Sequence, residues 1–146
     1  MSTQAGVQNP FLQWDNSYSV NIELIDYQHK KLFKDINQLL QLLDKKIDVL
    51  DVEAIIDNMI DYIAFHFTTE EKLLVQHPEF ISHKAEHQLF IEKTNQFDRE
   101  LFATKPKETA FELYVFLGGW LQQHIQKVDR LHFAYLQSNN LLPPLG

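Results

Sequence analysis

The chain contains no cysteine. Disulfides, thiolate zinc sites, cysteine-held iron–sulfur clusters, covalently attached haem and thiol nucleophiles are thereby excluded. Glycine and proline are scarce, four and five residues among 146, so few turns punctuate the chain and long helices are expected in place of many short strands. No apolar run approaches the roughly 20 residues needed to span a bilayer. No block of Lys and Arg offsets the formal net charge of -7, which argues against nucleic acid or an anionic membrane as a partner. The opening MSTQAGVQNP is polar and lacks the charged-then-apolar pattern of a signal peptide. A cytoplasmic protein without membrane insertion is the expectation.

What is present suits one globular domain. The chain is long enough to bury a real core, and its 45% hydrophobic content is near the globular average. Residues 1–21 read as an ordered arm, because Pro10, Phe11, Trp14 and Tyr18 are too apolar for a free tail. Residues 138–146, with Asn-Asn and Pro-Pro, read as a loose C-terminal tail. Residues 22–137 carry four segments of helical periodicity. The first runs from about Ile22 to Leu43, with Ile25, His29, Leu32, Ile36, Leu39 and Leu43 on one face. The second runs from about Val52 to Val75, with Ile56, Met59, Ile63, His66, Glu70 and Leu73, and is closed by His77-Pro78. The third begins near Glu79 and ends before Pro106; its stripe starts at Ile81 or Ser82 and continues through His83, Glu86 or His87, Phe90, Thr94, Phe97 and Leu101. The fourth runs from about Glu108 to Leu136, with Leu113, Phe116, Leu117, Trp120, Leu121, His124, Val128, Leu131 and Tyr135. Short connections make consecutive helices antiparallel neighbours, so the fold class is all-α, an up-down-up-down four-helix bundle.

Polar residues interrupt all four apolar stripes. His29 lies on the first helix, His66 and Glu70 on the second, His83 and His87 on the third, His124 and Asp129 on the fourth. Residues four apart differ by only about 40° around a helix and rise about 6 Å, so each such pair can face one cluster. The step from His124 to Asp129 is five residues, about 140° on an ideal helix. Either the two grip a cluster from opposite sides or the helix carries a local π-type turn. A lone histidine on an apolar stripe is ordinarily a hydrogen-bonded core residue. Five histidines and two carboxylates at mid-stripe are different, since unpaired buried charges cost several kcal/mol each, on the order of 3–5. A metal offsets that cost by binding neutral imidazole and anionic carboxylate. Seven side chains exceed the four ligands of one zinc, and an imidazole-rich set suits iron. If both carboxylates bridge two irons, the histidines split three and two, and one solvent-derived bridge is added, then one iron has six ligands and the other five. The open position is where an outside molecule binds.

The motifs WDNSYSV, IDYQHKKLF, HFTTEE, HKAEHQLF and WLQQHIQKVD, in this order over nearly the whole chain, resemble those of the hemerythrin family, most closely its single-domain bacterial form. The resemblance implies two iron ions with a bridging oxo or hydroxo group. His83, His87 and His124 would bind the six-coordinate iron, His29 and His66 the five-coordinate one, with Glu70 and Asp129 bridging. It also implies an apolar ligand pocket of Leu32, Phe67, Trp120, Leu121 and Ile125, and an outer role for Gln28 in orienting a ligand imidazole. Asn21 stands where bacterial members often have glycine, and reads as a helix cap. His77 reads as a loop residue, and His132 as a hydrogen-bonding neighbour of the core, not a ligand.

The activity so implied is reversible binding of dioxygen, as carrier, store or donor to a redox or oxygen-consuming protein partner. The alternatives are a di-iron oxidase, peroxidase or nitric-oxide-handling enzyme, or an oxygen-sensing module acting through a partner. Oxygen-activating di-iron bundles draw on four Glu and two His. The five-to-two balance here favours imidazole, which stabilises high-valent iron less than carboxylate does. The protein is therefore read as a binder, with oxidase or peroxidase turnover at most a side activity.

Overall fold

The structure, a computed structural model, describes residues 12–41, 49–97 and 100–144, with residues 49–51 as backbone alone. Pro10, Phe11 and Leu43, expected to pack on the bundle, lie outside the described residues. The helices are α1 (Glu23–Gln41), α2 (Val49–Leu74), α3 (Phe80–Asn95), a short α4 (Leu101–Thr104), α5 (Pro106–His124) and α6 (Arg130–Ser138). A π-helical turn, Ile125–Asp129, joins α5 to α6 without a break in helical backbone, so α5, the turn and α6 form one long fourth helix. No strand occurs among the described residues. None of their helices is long and apolar enough to cross a membrane.

The four long helices are antiparallel neighbours. Helix α1 packs on α2 and α5, and α2 on α3. Ring contacts close the square between α3 and the fourth helix: Phe97 meets Phe116, Phe90 meets Trp120, and His83 meets His132. Two apolar clusters fill the bundle. The larger includes Leu32, Ile36, Leu39, Ile56, Ile63, Phe102, Leu113 and Leu117. The smaller, at the other end, holds Val20, Ile22, Ile25, Leu73, Leu74, Phe133 and Leu136. His29 on α1, Glu70 on α2 and Asp129 on the fourth helix lie between the two clusters in sequence, and His66 and His124 stand at the edge of the larger one.

From Leu12 onward the arm is tied to the bundle. Leu12 N donates to Asn37 Oδ1 (2.8 Å), and Asn37 Nδ2 donates back to the Leu12 carbonyl (3.0 Å). Trp14 and Tyr18 meet Phe33 edge-on. Asp26, in the first turn of α1, accepts from Ser19 Oγ and Val20 N, which ties the arm to the helix start. Asn21 has φ 60. Its place is a left-handed backbone position, which Gly and Asn tolerate best, and not the side-chain cap expected of it.

Two other expectations are corrected. The third helix stops at Asn95 and resumes as α4, which presents Phe102 to the core and leaves Leu101 41% exposed. The segment after Ser138 is not loose as far as residue 144. Asn140 takes φ 54, Leu141 N donates to the Leu136 carbonyl (2.8 Å), and Leu141 and Leu142 pack on the smaller cluster. This is a Schellman-type helix end, in which the residue after a left-handed position bonds back across six residues and lays an apolar side chain on the last turn.

Candidate metal centre

All seven polar stripe residues converge. His29, His66, Glu70, His83, His87, His124 and Asp129 are each at least 96% buried, with His124 the most exposed at 4%. The π turn settles the five-residue step. Arg130 N donates to the Ile125 carbonyl, five residues back, so one extra residue enters the turn and Asp129 comes round to the face of His124. The same insertion shifts the helix face by one position beyond it. Phe133 and Leu136 are buried, while Leu131 and Tyr135, expected in the core, are 66% and 40% exposed. At the start of α3, Ile81 is 82% exposed and His87, not Glu86, faces inward.

The inward atoms are the Nε2 nitrogens of five imidazoles and the four oxygens of two carboxylates. They form two groups that share Glu70: Glu70, His83, His87, His124 and Asp129 in one, His29, His66 and Glu70 in the other. Glu70 Oε2 lies 3.0 Å from His29 Nε2 and 3.1 Å from His66 Nε2, while its Oε1 lies 3.3 Å from His87 Nε2 and 3.9 Å from His83 Nε2. Asp129 divides in the same way, with Oδ2 3.3 Å from His29 Nε2 and Oδ1 3.0 and 3.1 Å from His83 and His124 Nε2. His124 Nε2 is also 3.1 Å from His87 Nε2 and 3.2 Å from His83 Nε2. Each carboxylate thus presents one oxygen to each imidazole set.

A metal fits this arrangement. Neighbouring donors on an octahedral ion at about 2.1 Å lie about 3 Å apart, the spacing seen here. Several inward atoms, His66 Nε2, Glu70 Oε1 and both Asp129 oxygens, are buried without a hydrogen bond, although buried polar atoms nearly always have one. Burial would raise Glu70, but His66, His29 and His87 hold it well below the ordinary carboxylate range. Asp129 is lowered too, against burial and the Glu70 charge, by His124 and His29. Burial lowers His66; it also opposes His29, yet Asp129 and Glu70 push that ring up to about 9. Two ionised carboxylates enclosed together call for positive charge between them, which cations supply without protonating the imidazoles.

Outer contacts hold the rings of the cluster in place. The His66 Nδ1–H donates to Gln28 Oε1 (2.7 Å), and Gln28 is buried. The His87 Nδ1–H donates to Glu71 Oε2 (2.8 Å). Glu71 was not singled out from the sequence, where it reads as the solvated neighbour of Glu70. His83 Nδ1 meets His132 Nδ1 at 2.7 Å. Burial, and then His77 and His83, push His132 down to about 4, so its ring is neutral. His77, in the turn after α2, stacks on His132 with ring centroids 4.0 Å apart.

Of the expected pocket residues, Leu32, Phe67 and Leu121 line a narrow apolar void, too tight to admit a water molecule, with Ile36, Ile63 and Phe90. Leu32, Ile63, Phe90 and Leu121 each stand three residues from a ligand histidine, so the void sits one helical turn from the cluster on the side of the larger core. Trp120 and Ile125 are not among its lining residues. Trp120 lies flat on His124 (4.3 Å, 13°) and Ile125 is buried in the larger core.

A buried imidazole–carboxylate cluster drawn from four antiparallel helices defines a cation-binding bundle protein. The family model described as "Hemerythrin HHE cation binding domain" matches residues 20–136, and the chain belongs to the hemerythrin family. It is similar to a bacteriohemerythrin of Clostridium acetobutylicum, 30% identical over 122 residues, covering 80% of this chain and 95% of that one. It is also similar to those of Pseudomonas aeruginosa (31% identical, 81% of this chain and 76% of that one) and Methylococcus capsulatus (28% identical, 79% and 88%).

Proposed function

We propose that the chain holds two iron ions per molecule and uses them to bind dioxygen reversibly. His83, His87 and His124 would hold one ion and His29 and His66 the other, with Glu70 and Asp129 serving both. The observation that carries this reading is the division of each carboxylate, one oxygen toward each imidazole set. The relatives named bacteriohemerythrin support the same metal and ligand. Iron supplies the electrons that dioxygen takes up on binding.

The protein's own residues do the rest. The three-to-two division of imidazoles would leave the His29–His66 side one donor short, which is where dioxygen would enter. Leu32, Phe67 and Leu121 exclude water from the approach, because an apolar void offers water no hydrogen-bonding partners. Trp120 packs behind the Phe67 and Phe90 rings. Gln28 and Glu71 fix His66 and His87 with their Nε2 atoms turned inward. The imidazole-rich donor set favours release of dioxygen over its cleavage, so the protein is a binder and not an enzyme. It acts in the cytoplasm, delivering dioxygen to a consuming or redox partner. Its working unit is the bundle 22–137, flanked by the arm 1–21 and the tail 138–146.

The test is the optical spectrum of the reduced iron protein before air, after air, and after deoxygenation, beside its iron content. An absorption band that appears with air and disappears on deoxygenation, at about two irons per chain, is the expected result. Steady dioxygen consumption with reductant and no such band would overturn the reading in favour of an oxidase.

A further inference from the structure

His132 was set aside as a non-ligand, yet it makes a close and unusually enclosed contact with the cluster. Its Nδ1 lies 2.7 Å from His83 Nδ1. Two nitrogens at that distance share one proton, so one ring donates and the other accepts. His83 Nε2 points inward, 3.0 Å from Asp129 Oδ1 and 3.2 Å from His124 Nε2, and a ligand nitrogen must be bare. The shared proton therefore resides on His83 Nδ1, and His132 accepts it.

His132 is itself held from two directions by the turn between α2 and α3. The His77 ring covers its face, and His77 is fixed by the Glu79 backbone N–H, which donates to its Nδ1 at 2.9 Å. The Glu79 carboxylate faces the other edge of His132, with Oε2 3.8 Å from Nε2, the nitrogen that carries the remaining proton. The π turn makes this possible, since it carries residue 132 round with Asp129.

We propose that His132 is a positioning residue of the metal centre: by accepting the Nδ1 proton of His83 it fixes that ring in the tautomer, and at the angle, that aims Nε2 at the metal. It stands to His83 as Gln28 stands to His66 and Glu71 to His87. The proposal rests on the metal reading of the cluster. Outer partners of ligand imidazoles are worth about 10–100-fold in metal affinity.

The experiment compares iron-loaded parent protein with His132→Phe and His132→Gln. Phenylalanine keeps a flat ring against His77 but has no acceptor; glutamine loses the ring and offers a carbonyl oxygen. The readout is the rate of iron loss to a strong chelator, with thermal unfolding measured on the same samples. Iron loss at least ten-fold faster in His132→Phe, with most of the parent's retention restored in His132→Gln, is expected. Should the phenylalanine ring not fit, His132→Leu removes the acceptor in a smaller side chain and carries the same expectation. Parent-like retention in the folded acceptor-free variant overturns the proposal. So does equally fast loss in the glutamine variant, which would show that the ring packs and does not position. If the parent itself takes up no stoichiometric iron, the metal reading has failed and not the role of His132 within it.

Discussion

The two imidazole sets of the cluster are supported differently. On the side of His83, His87 and His124, aromatic planes back the ligands. Phe67 lies flat on His87 (3.7 Å, 1°) and Trp120 flat on His124 (4.3 Å, 13°), while His132 braces His83 by its edge. On the side of His29 and His66 the two rings meet each other edge to face at 4.6 Å, and Gln28 supplies the outer hydrogen bond. No ring lies flat on either of them among the described residues. Stacked and hydrogen-bonded rings have few alternative positions to relax into, so the three-imidazole side is preorganised. In the proposed centre the two-imidazole side is the one short of a donor, with room for an outside molecule. Ring support and, in the proposed function, the open position thus fall on opposite sides of one cluster, with shared carboxylates between them.

The sharpest way to break this comparison is to remove a shared ligand and an unshared one. Glu70→Ala withdraws an oxygen from each set, and iron content should fall toward zero. His66→Ala should leave about one iron per chain, held by the supported three-imidazole side. Elemental analysis decides, and equal loss in both variants would mean that the two sets are not separable.

Next in size is removal of the metal itself. The apo-protein keeps buried polar atoms that lack partners, each costing about 1–3 kcal/mol, so metal binding and folding are linked. Chelation should lower Tm by more than about 10 °C, given about 3–5 °C per kcal/mol for a chain of this size. Coincident melting of apo and iron-loaded protein, followed by calorimetry, would remove the cluster from the core.

A smaller effect is expected at the void. Leu121→Asn places an amide in its apolar wall, where it can hold water. The oxygenated absorption band should then decay several-fold faster at unchanged iron content. Val115→Asn, at an exposed position of the same helix, should decay like the parent, and equal decay in all three would separate the void from dioxygen. The smallest effect belongs to the stacking on the supported side. Phe67→Leu removes the plane over His87 and should cost about 1–2 kcal/mol in denaturant unfolding, with both irons retained.

The sequence by itself determined the helices and their polar interruptions. Spacing of three and four is a local property, so the stripe on α1 from Ile25 to Leu39 and that on α2 read correctly, and His29, His66, Glu70, His83, His87 and His124 fell on faces that meet. Helix-ending signals were local as well, with α2 ending before His77-Pro78, whereas Pro106, read only as a stop for the third helix, is the first residue of α5, two before the expected start at Glu108. Tertiary structure decided what depends on contacts between helices. Whether Asp129 opposed His124 or joined it turned on one extra residue in a helical turn, the π turn Ile125–Asp129. That choice then set the phase beyond it, burying Phe133 and Leu136, exposing Leu131 and Tyr135, and turning His132 toward His83. Glu71 and His132 carry no periodic signature, because an outer partner is defined by the helix across from it: Glu71 on α2 reaches His87 on α3, and His132 on α6 reaches His83 on α3. Periodicity assigns a residue to a face of its own helix, and only packing decides which atom of the next helix that face meets.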